Sequence, residues 1–123
     1  MREPPTGDEL LDCAARALRA RVLPQLPEAL RADMLMALRA MAIASRQLRA
    51  GDAPLRVECA ELGAALQAPC GDVAEANRAL AAAIRTGQAD PGQPRRAQLL
   101  QAVRGVVRRR LAESNPKILR DGA

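Results

Sequence analysis

The chain has 123 residues, enough for one domain with its own core, and 27 of them are Ala while His, Phe, Tyr and Trp are absent. The lack of His excludes an imidazole general base, a Ser-His or Cys-His nucleophile and a mixed His/Cys zinc site, and the lack of aromatic rings excludes stacking platforms for single-stranded nucleic acid. The net charge is +5, but residues 1–90 carry −1 and residues 91–123 carry +6, so only the C-terminal third is basic.

The first predicted helix covers residues 7–23. Thr6 and Glu9 have the spacing of a capping box, in which each side chain satisfies a backbone N–H of the first turn. Apolar residues recur at the helical period after this box, and Pro24 is expected to end the helix.

The second predicted helix covers residues 27–50 and is capped by Gly51. Arg39 and Arg46 are one heptad apart, and Arg49 follows one turn later. Guanidinium groups in such a row suit phosphate or carboxylate at the edge of a groove, whereas the alternative is a solvated helix face. The apolar stripe of this helix consists of Leu30, Met34, Leu38, Met41, Ser45 and Leu48.

Two shorter helices are predicted over residues 55–67 and 73–86, the second with Asp72 as its N-cap. Glu58 and Glu61 are interpreted as members of a solvated face of the third helix. Asn77 interrupts an apolar stripe on the fourth helix, and a buried Asn needs hydrogen-bond partners. We therefore expect Asn77 to bond a neighbouring helix and fix the packing register, with a ligand contact as the alternative.

The fifth predicted helix covers residues 95–114 and follows a linker-like stretch over residues 88–94. Arg104 begins a basic segment on this helix that ends at Arg110. Such a segment is compatible with phosphate contacts, but Arg side chains near a helix C-terminus also stabilise the helix dipole. Asn115 and Pro116 are expected to end the helix.

These elements predict an all-α, single-domain bundle of about five helices spanning residues 1–123, with an Ala-rich and therefore thin core. Three cysteines without a C-x-x-C pair predict reduced thiols and no four-ligand metal site. The N-terminal residues do not form the apolar run of a signal peptide or membrane span, so we expect a cytoplasmic protein.

The order of these motifs resembles a family of small all-helical bacterial proteins of unknown function. The resemblance covers nearly the whole chain and rests on Pro5-Thr6, Val22-Leu23-Pro24, Ala42-Ile43, Arg46-Gln47, Gly71-Asp72-Val73, Asn77-Arg78-Ala79-Leu80, Ile84-Arg85-Thr86-Gly87 and Leu111 through Lys117. Members of that family often carry Asn-Ala-Leu in the second helix, a Glu at the position of Gln47 and an aromatic residue at the position of Ile118. Arg39 stands near the expected Asn, so if that Asn and Glu form a polar site in relatives, the site is altered in this chain.

The resemblance implies an accessory role, because genes of that family neighbour acyl-CoA dehydrogenases and kinases similar to aminoglycoside phosphotransferases. We expect a non-enzymatic protein without a cofactor that binds a protein partner, or a second copy of itself, through an Arg-edged apolar helix face. The alternative is a binder of a small anionic ligand such as an acyl-CoA, held by Arg39, Arg46 or Arg85. Nucleic-acid binding through residues 95–110 ranks below both. The candidate binding residues are Arg39, Arg46, Arg49, Asn77 and Arg85, and no catalytic or metal-binding residue is expected.

Overall fold

The computed structural model describes residues 3–122, and within that range it contains helices and turns but no strand. The prediction of an all-α protein is confirmed, with six α-helices in the described range rather than five. The chain divides into two compact units, one ending at Gly51 and one beginning at Asp52. That the chain is a single domain over residues 1–123 stays a prediction. The helices are α1 (Gly7–Ala17), α2 (Glu28–Ala50), α3 (Ala53–Leu66), α4 (Val73–Arg85), α5 (Arg96–Ser114) and α6 (Pro116–Asp121).

Helix α1 begins as predicted but changes geometry before its expected end. The Thr6 N–H donates to the Glu9 carboxylate over 2.8 Å at its start. After Ala17 the chain continues through a π-helical turn, Leu18–Val22, and a 3-10 turn, Leu23–Gln25. Because Pro24 lacks an N–H and its ring crowds the carbonyl four residues earlier, the regular α-helical ladder ends upstream of it.

Helix α2 ends at Ala50 as predicted, and Gly51 adopts a φ of 59° after it, but the helix begins one residue later than predicted because Pro27 is its N-cap, with a ψ of 147°. It packs against α1 and buries Leu38 and Ser45. The two ends of the predicted apolar stripe are not buried, because Leu30 is 49% exposed and Leu48 is 57% exposed. The first unit therefore has little fully buried apolar surface.

The second unit is built around α3, α4 and α5. Leu62, Leu80 and Leu99 are its largest buried apolar side chains, and Ala residues fill the space between them. Asp72 caps α4 by accepting from the N–H groups of Ala74 and Glu75, over 3.1 and 3.2 Å. Small Ala side chains permit close helix packing, so this unit has the thin Ala-rich core that the composition predicts.

Two predicted boundaries in the second unit are wrong. Residues 88–94 are not a linker, because Ala89 is buried in the core and its carbonyl accepts a hydrogen bond from Arg96. The unit boundary lies instead at Gly51. Asn115 has a φ of −152° rather than a left-handed conformation, and Pro116 begins α6 instead of ending regular structure. Proline is compatible with this first helical position because its missing N–H needs no partner there.

The prediction that all three cysteines are reduced thiols is wrong. Cys59 and Cys70 form a disulfide, whereas Cys13 is free and exposed. The chain reverses after α3, where Gln67 adopts a left-handed conformation and the Ala68 N–H donates to the Gly63 carbonyl. This turn returns Cys70 to the side of α3. Separately, none of the helices in residues 3–122 combines the length and apolar character that crossing a membrane requires.

Candidate functional site

A carboxylate buried on α3 is the centre of the main polar cluster in the second unit. Glu58 shares its helix face with Leu62 and Ala65, at spacings of four and seven residues, and is 1% exposed. Its carboxylate accepts from Asn77 Nδ2 over 2.8 Å. The interpretation of Glu58 as a solvated residue is therefore wrong, because it occupies the same stripe as the core.

Two arginines of α5 balance the charge of Glu58. Arg110 Nη2 lies 3.1 Å from Glu58 Oε1, and Arg109 Nε lies 3.4 Å from Glu58 Oε2. Arg109 also contacts the half-exposed Glu61 through Nη1 at 2.7 Å. We name Glu58, Glu61, Asn77, Arg109 and Arg110 the Glu58 cluster. Its two carboxylates and two guanidinium groups neutralise each other, so burial of Glu58 is compensated by paired charges and hydrogen bonds.

Asn77 makes the predicted hydrogen bond to a neighbouring helix. Its amide donates both to Glu58 and to the Val73 carbonyl, the latter over 3.0 Å, and thereby connects α4 to α3. A role of Asn77 in ligand binding stays a prediction.

An open cavity of about 540 Å³ lies between α3 and α5, beside the Glu58 cluster. Its α3 side contributes Glu61, and its α5 side contributes Arg104 and Arg108. The remaining lining residues are Ala64, Ala65, Gln98, Gln101, Ala102 and Gly105. A cavity of this volume is in the range of small-molecule sites.

Gly105 has a specific steric role beside this cavity. A Cβ atom added at position 105 would be 2.8 Å from Glu61 Oε2 and 3.2 Å from Arg109 Nη2. The missing side chain therefore leaves the space in which the Glu61–Arg109 ion pair crosses the surface of α5.

The first unit contains a separate polar cluster between α1 and α2. The Ser45 hydroxyl, buried at 2% exposure, donates to Asp12 Oδ1 over 2.7 Å. Arg49 contacts Asp12 Oδ2 at 2.8 Å and Asp8 Oδ2 at 3.2 Å. Arg49 thus has a structural partner on α1, and binding of an external ligand by this residue stays a prediction.

These contacts shift the protonation equilibria of the two carboxyl groups. The hydrogen bond from the Thr6 hydroxyl, with a further contribution from Arg49, lowers the pKa of Asp8 below its ordinary value. The hydrogen bond from Ser45, followed by that from Arg49, lowers the pKa of Asp12. Both effects favour the charged carboxylate in the folded state.

The other candidate arginines have different surroundings. Arg39 on α2 and Arg85 on α4 are exposed, whereas Arg46 is half-buried and has an interaction partner. None of these three side chains lines the α3–α5 cavity. Their participation in binding stays a prediction. Within residues 3–122, no group of three Cys, Asp or Glu side chains is arranged to hold a metal ion.

Sequence reasoning missed the association of Glu58 with Arg109 and Arg110. One signal for it was available, because Glu58 is four residues before Leu62 and seven before Ala65 on the helical period. A second signal was Asn77, which required a polar partner inside an apolar interface. The identity of that partner depends on the packing of helices against one another. Asn77 is 19 residues from Glu58 in the sequence, and the two arginines are more than 50 residues from it.

Comparison with known protein families identifies the chain at the family level. The family model described as a domain of unknown function, DUF6285, matches residues 24–118. Neither a protein with a curated description nor a solved structure matches this chain. Because the match covers most of the chain, including α2 to α5, the chain belongs to the DUF6285 family.

Proposed function

We propose that this member of the DUF6285 family is a non-enzymatic accessory protein whose first unit docks on a protein partner. The proposal depends on one observation, the exposure of apolar side chains in the first turns of α2. Leu30, Leu35 and Met36 are 49%, 47% and 69% exposed. Within residues 3–51, six large hydrophobic residues are more than one-third exposed, the other three being Leu10, Val22 and Leu48.

The distribution of these side chains supports docking rather than random surface variation. Leu30, Leu35 and Met36 lie within two helical turns but point in different directions around α2, at about 100° per residue. A helix segment that is apolar on several sides is typically buried in an interface. Arg31 lies within the segment and Arg39 follows it, and these exposed charged side chains supply the polar rim that specific interfaces have.

The partner in this proposal is the neighbouring gene product that the family resemblance implies, an acyl-CoA dehydrogenase or a kinase-like phosphotransferase of a bacterial cytoplasm. Disulfides are rare in reducing compartments, so the Cys59–Cys70 bond does not fit a cytoplasmic location, and the location needs its own test. Alkylation of thiols in intact cells before lysis, followed by mass spectrometry of the two cysteines, tests that part of the proposal.

Light scattering on a size-exclusion column tests docking, with the purified protein alone and mixed with each neighbouring gene product. We expect a stoichiometric complex that the double variant L35E/M36E abolishes. Val107 in the second unit is 49% exposed, so V107E is a matched control that should keep the complex. A monomer that binds neither protein at micromolar concentration contradicts the proposal, and a homodimer lost in L35E/M36E identifies a second copy as the occupant instead.

The alternative function, binding of a small anion such as an acyl-CoA, was based on Arg39, Arg46 and Arg85. The observation that favours an anion site is instead the α3–α5 cavity, which Arg104 and Arg108 line. Nucleic-acid binding by α5 has less support, because Arg109 and Arg110 are engaged with carboxylates of α3.

A further inference from the structure

We infer that the α3–α5 cavity is a binding site for a small amphipathic oxyanion, a phosphate monoester or carboxylate with a short apolar portion. Arg104 and Arg108 bind the oxyanion, and the Ala-lined floor accommodates the apolar portion. The site lies wholly within the second unit. The inference is independent of the docking surface on the first unit.

The charge balance around the cavity indicates an anion. Glu61 is the acidic lining residue, and its charge is already paired with Arg109 at 2.7 Å. Arg104 and Arg108 have no ion pair or side-chain hydrogen bond with any other residue in the range 3–122. Since the charges of the Glu58 cluster cancel, these two guanidinium groups leave an excess of two positive charges at the cavity.

The geometry of α5 makes these two cations one binding feature. Residues 104 and 108 are four apart and therefore adjacent on the same face of the helix. Each guanidinium presents a planar fork of donors that matches the oxygens of a carboxylate or phosphate group. Gln98 and Gln101 lie on the same side of α5, and their side-chain amides, which make no hydrogen bond within the described residues, add further donors.

The small residues of the cavity explain why the ligand has an apolar portion. Ala64 and Ala65 form the α3 wall, while Ala102 and Gly105 form part of the α5 wall. These residues leave a volume of about 540 Å³, which greatly exceeds the space that a bare oxyanion occupies. A short hydrocarbon group would remove its apolar surface from water by contacting the Ala methyl groups, which strengthens binding.

An NMR titration of the full chain in about 0.3 M NaCl tests the inference, with exposed charge pairs largely screened at that salt concentration. The probes are inorganic phosphate, n-butyl phosphate and pentanoate. We expect the NMR signals of the Gln98 and Gln101 side-chain amides to shift saturably with n-butyl phosphate or pentanoate. The probe that binds more tightly identifies the head group as a phosphate or a carboxylate. Inorganic phosphate should bind at least about tenfold more weakly, because it lacks the apolar portion.

Variants separate the two parts of the site. R104Q/R108Q should weaken binding by at least about tenfold, whereas R78Q, which changes an exposed Arg of the same unit outside the cavity lining, should leave the affinity within about twofold. A64L should block the cavity without removing charge, and A60L places the same side chain on α3 outside the lining residues. Circular dichroism of each variant checks that the helices are retained.

Four results of the direct titrations with the small probes overturn the inference. With the wild-type protein, these are shifts that do not saturate, and an affinity for inorganic phosphate equal to that for both amphipathic probes. With the variants, they are binding that R104Q/R108Q leaves unchanged, and an equal reduction of n-butyl phosphate binding by A64L and A60L. Displacement of the bound probe by duplex DNA at stoichiometric concentration also overturns it, since α5 would then be a nucleic-acid surface.

Discussion

Asn77 Nδ2 and Glu58 Oε1 are 2.8 Å apart, and this hydrogen bond connects α4 to the most deeply buried charge of α3. The same oxygen lies 3.1 Å from Arg110 Nη2. An amide and a half-exposed guanidinium group thus share one oxygen of a buried carboxylate. Glu58 Oε1 therefore contributes both to the position of α4 against α3, through Asn77, and to the neutralisation of the Glu58 charge, through Arg110.

Removal of Glu58 should destabilise the protein more than removal of Asn77. In E58A, Arg109 would lose one of its two carboxylate partners while its side chain remains only 17% exposed. Breaking a buried ion pair in this way costs about 3 kcal/mol or more. N77A leaves Glu58 paired with both arginines and should cost about 1–2 kcal/mol.

Urea denaturation followed by far-UV circular dichroism measures these free energies, since the chain has no aromatic fluorophore. E75Q is the control, because Glu75 is exposed on the same helix as Asn77 and its carboxylate makes no hydrogen bond or ion pair with another residue of the range 3–122. It should change the free energy of unfolding by less than about 1 kcal/mol. Equal effects of E58A and E75Q would show that Glu58 is solvated in solution.

Three helix boundaries, at the two ends of α2 and at the start of α4, were predictable to within one residue because they depend on local chemistry. Pro27, Gly51 and Asp72 each satisfy or remove backbone groups within one turn, so their effect can be assigned from neighbouring residues. Burial of Glu58 depends on three side chains from two other helices. Its spacing to Leu62 matched that of a core residue, but its charge was consistent with a solvated face as well.

The apolar stripes were predictable only to within part of a turn. On α4, Leu80 and Ile84 have the helical spacing of the apolar stripe that Asn77 interrupts, but Ile84 is 38% exposed, and Ala76 and Ala83 are buried instead. In an Ala-rich helix several faces have comparable hydrophobicity. Contacts with other helices therefore determine which face is buried, and the apolar pattern of a single helix does not indicate those contacts.

Asp72 should contribute measurably to the stability of α4 through its cap. Its carboxylate accepts from two backbone N–H groups, those of Ala74 and Glu75. D72A should therefore lower the free energy of unfolding by about 1 kcal/mol. Asp52 occupies the same N-cap position on α3 but makes no side-chain hydrogen bond there, so D52A is the matched control with a smaller effect. Equal losses in the two variants would argue against the capping geometry at Asp72.

Stability of the first unit should decrease at acidic pH. Asp8 and Asp12 have folded-state pKa values below the ordinary 3.8, so the folded protein binds fewer protons than the unfolded chain. Their contribution to stability is fully present above the unfolded pKa and is lost as the pH falls through the lowered folded pKa. Since the Ser45 hydrogen bond is the largest cause at Asp12, S45A should remove part of this dependence.

Unfolding curves at pH 7 and pH 3 measure this effect. The destabilisation caused by S45A should be smaller at pH 3 than at pH 7, because protonated Asp12 is the weaker acceptor. Thr86 donates its hydroxyl to the carbonyls of Ala82 and Ala83, which do not titrate. T86A is therefore the control whose effect stays constant with pH. An S45A effect that is equally constant would contradict the role of Asp12.

The Cys59–Cys70 disulfide should stabilise the second unit by restricting its unfolded state. The bond closes a loop across a sequence separation of 11 residues, for which loop-closure entropy gives about 3 kcal/mol. Reduction with dithiothreitol should therefore lower the free energy of unfolding by up to this amount, and C59S/C70S should be insensitive to the reductant. C13S changes the exposed free cysteine and should retain the full response. A wild-type protein with identical unfolding curves in the two redox conditions would show that the closed loop adds no stability, and that the hydrophobic contacts of Leu62, Leu80 and Leu99 suffice to hold the unit together.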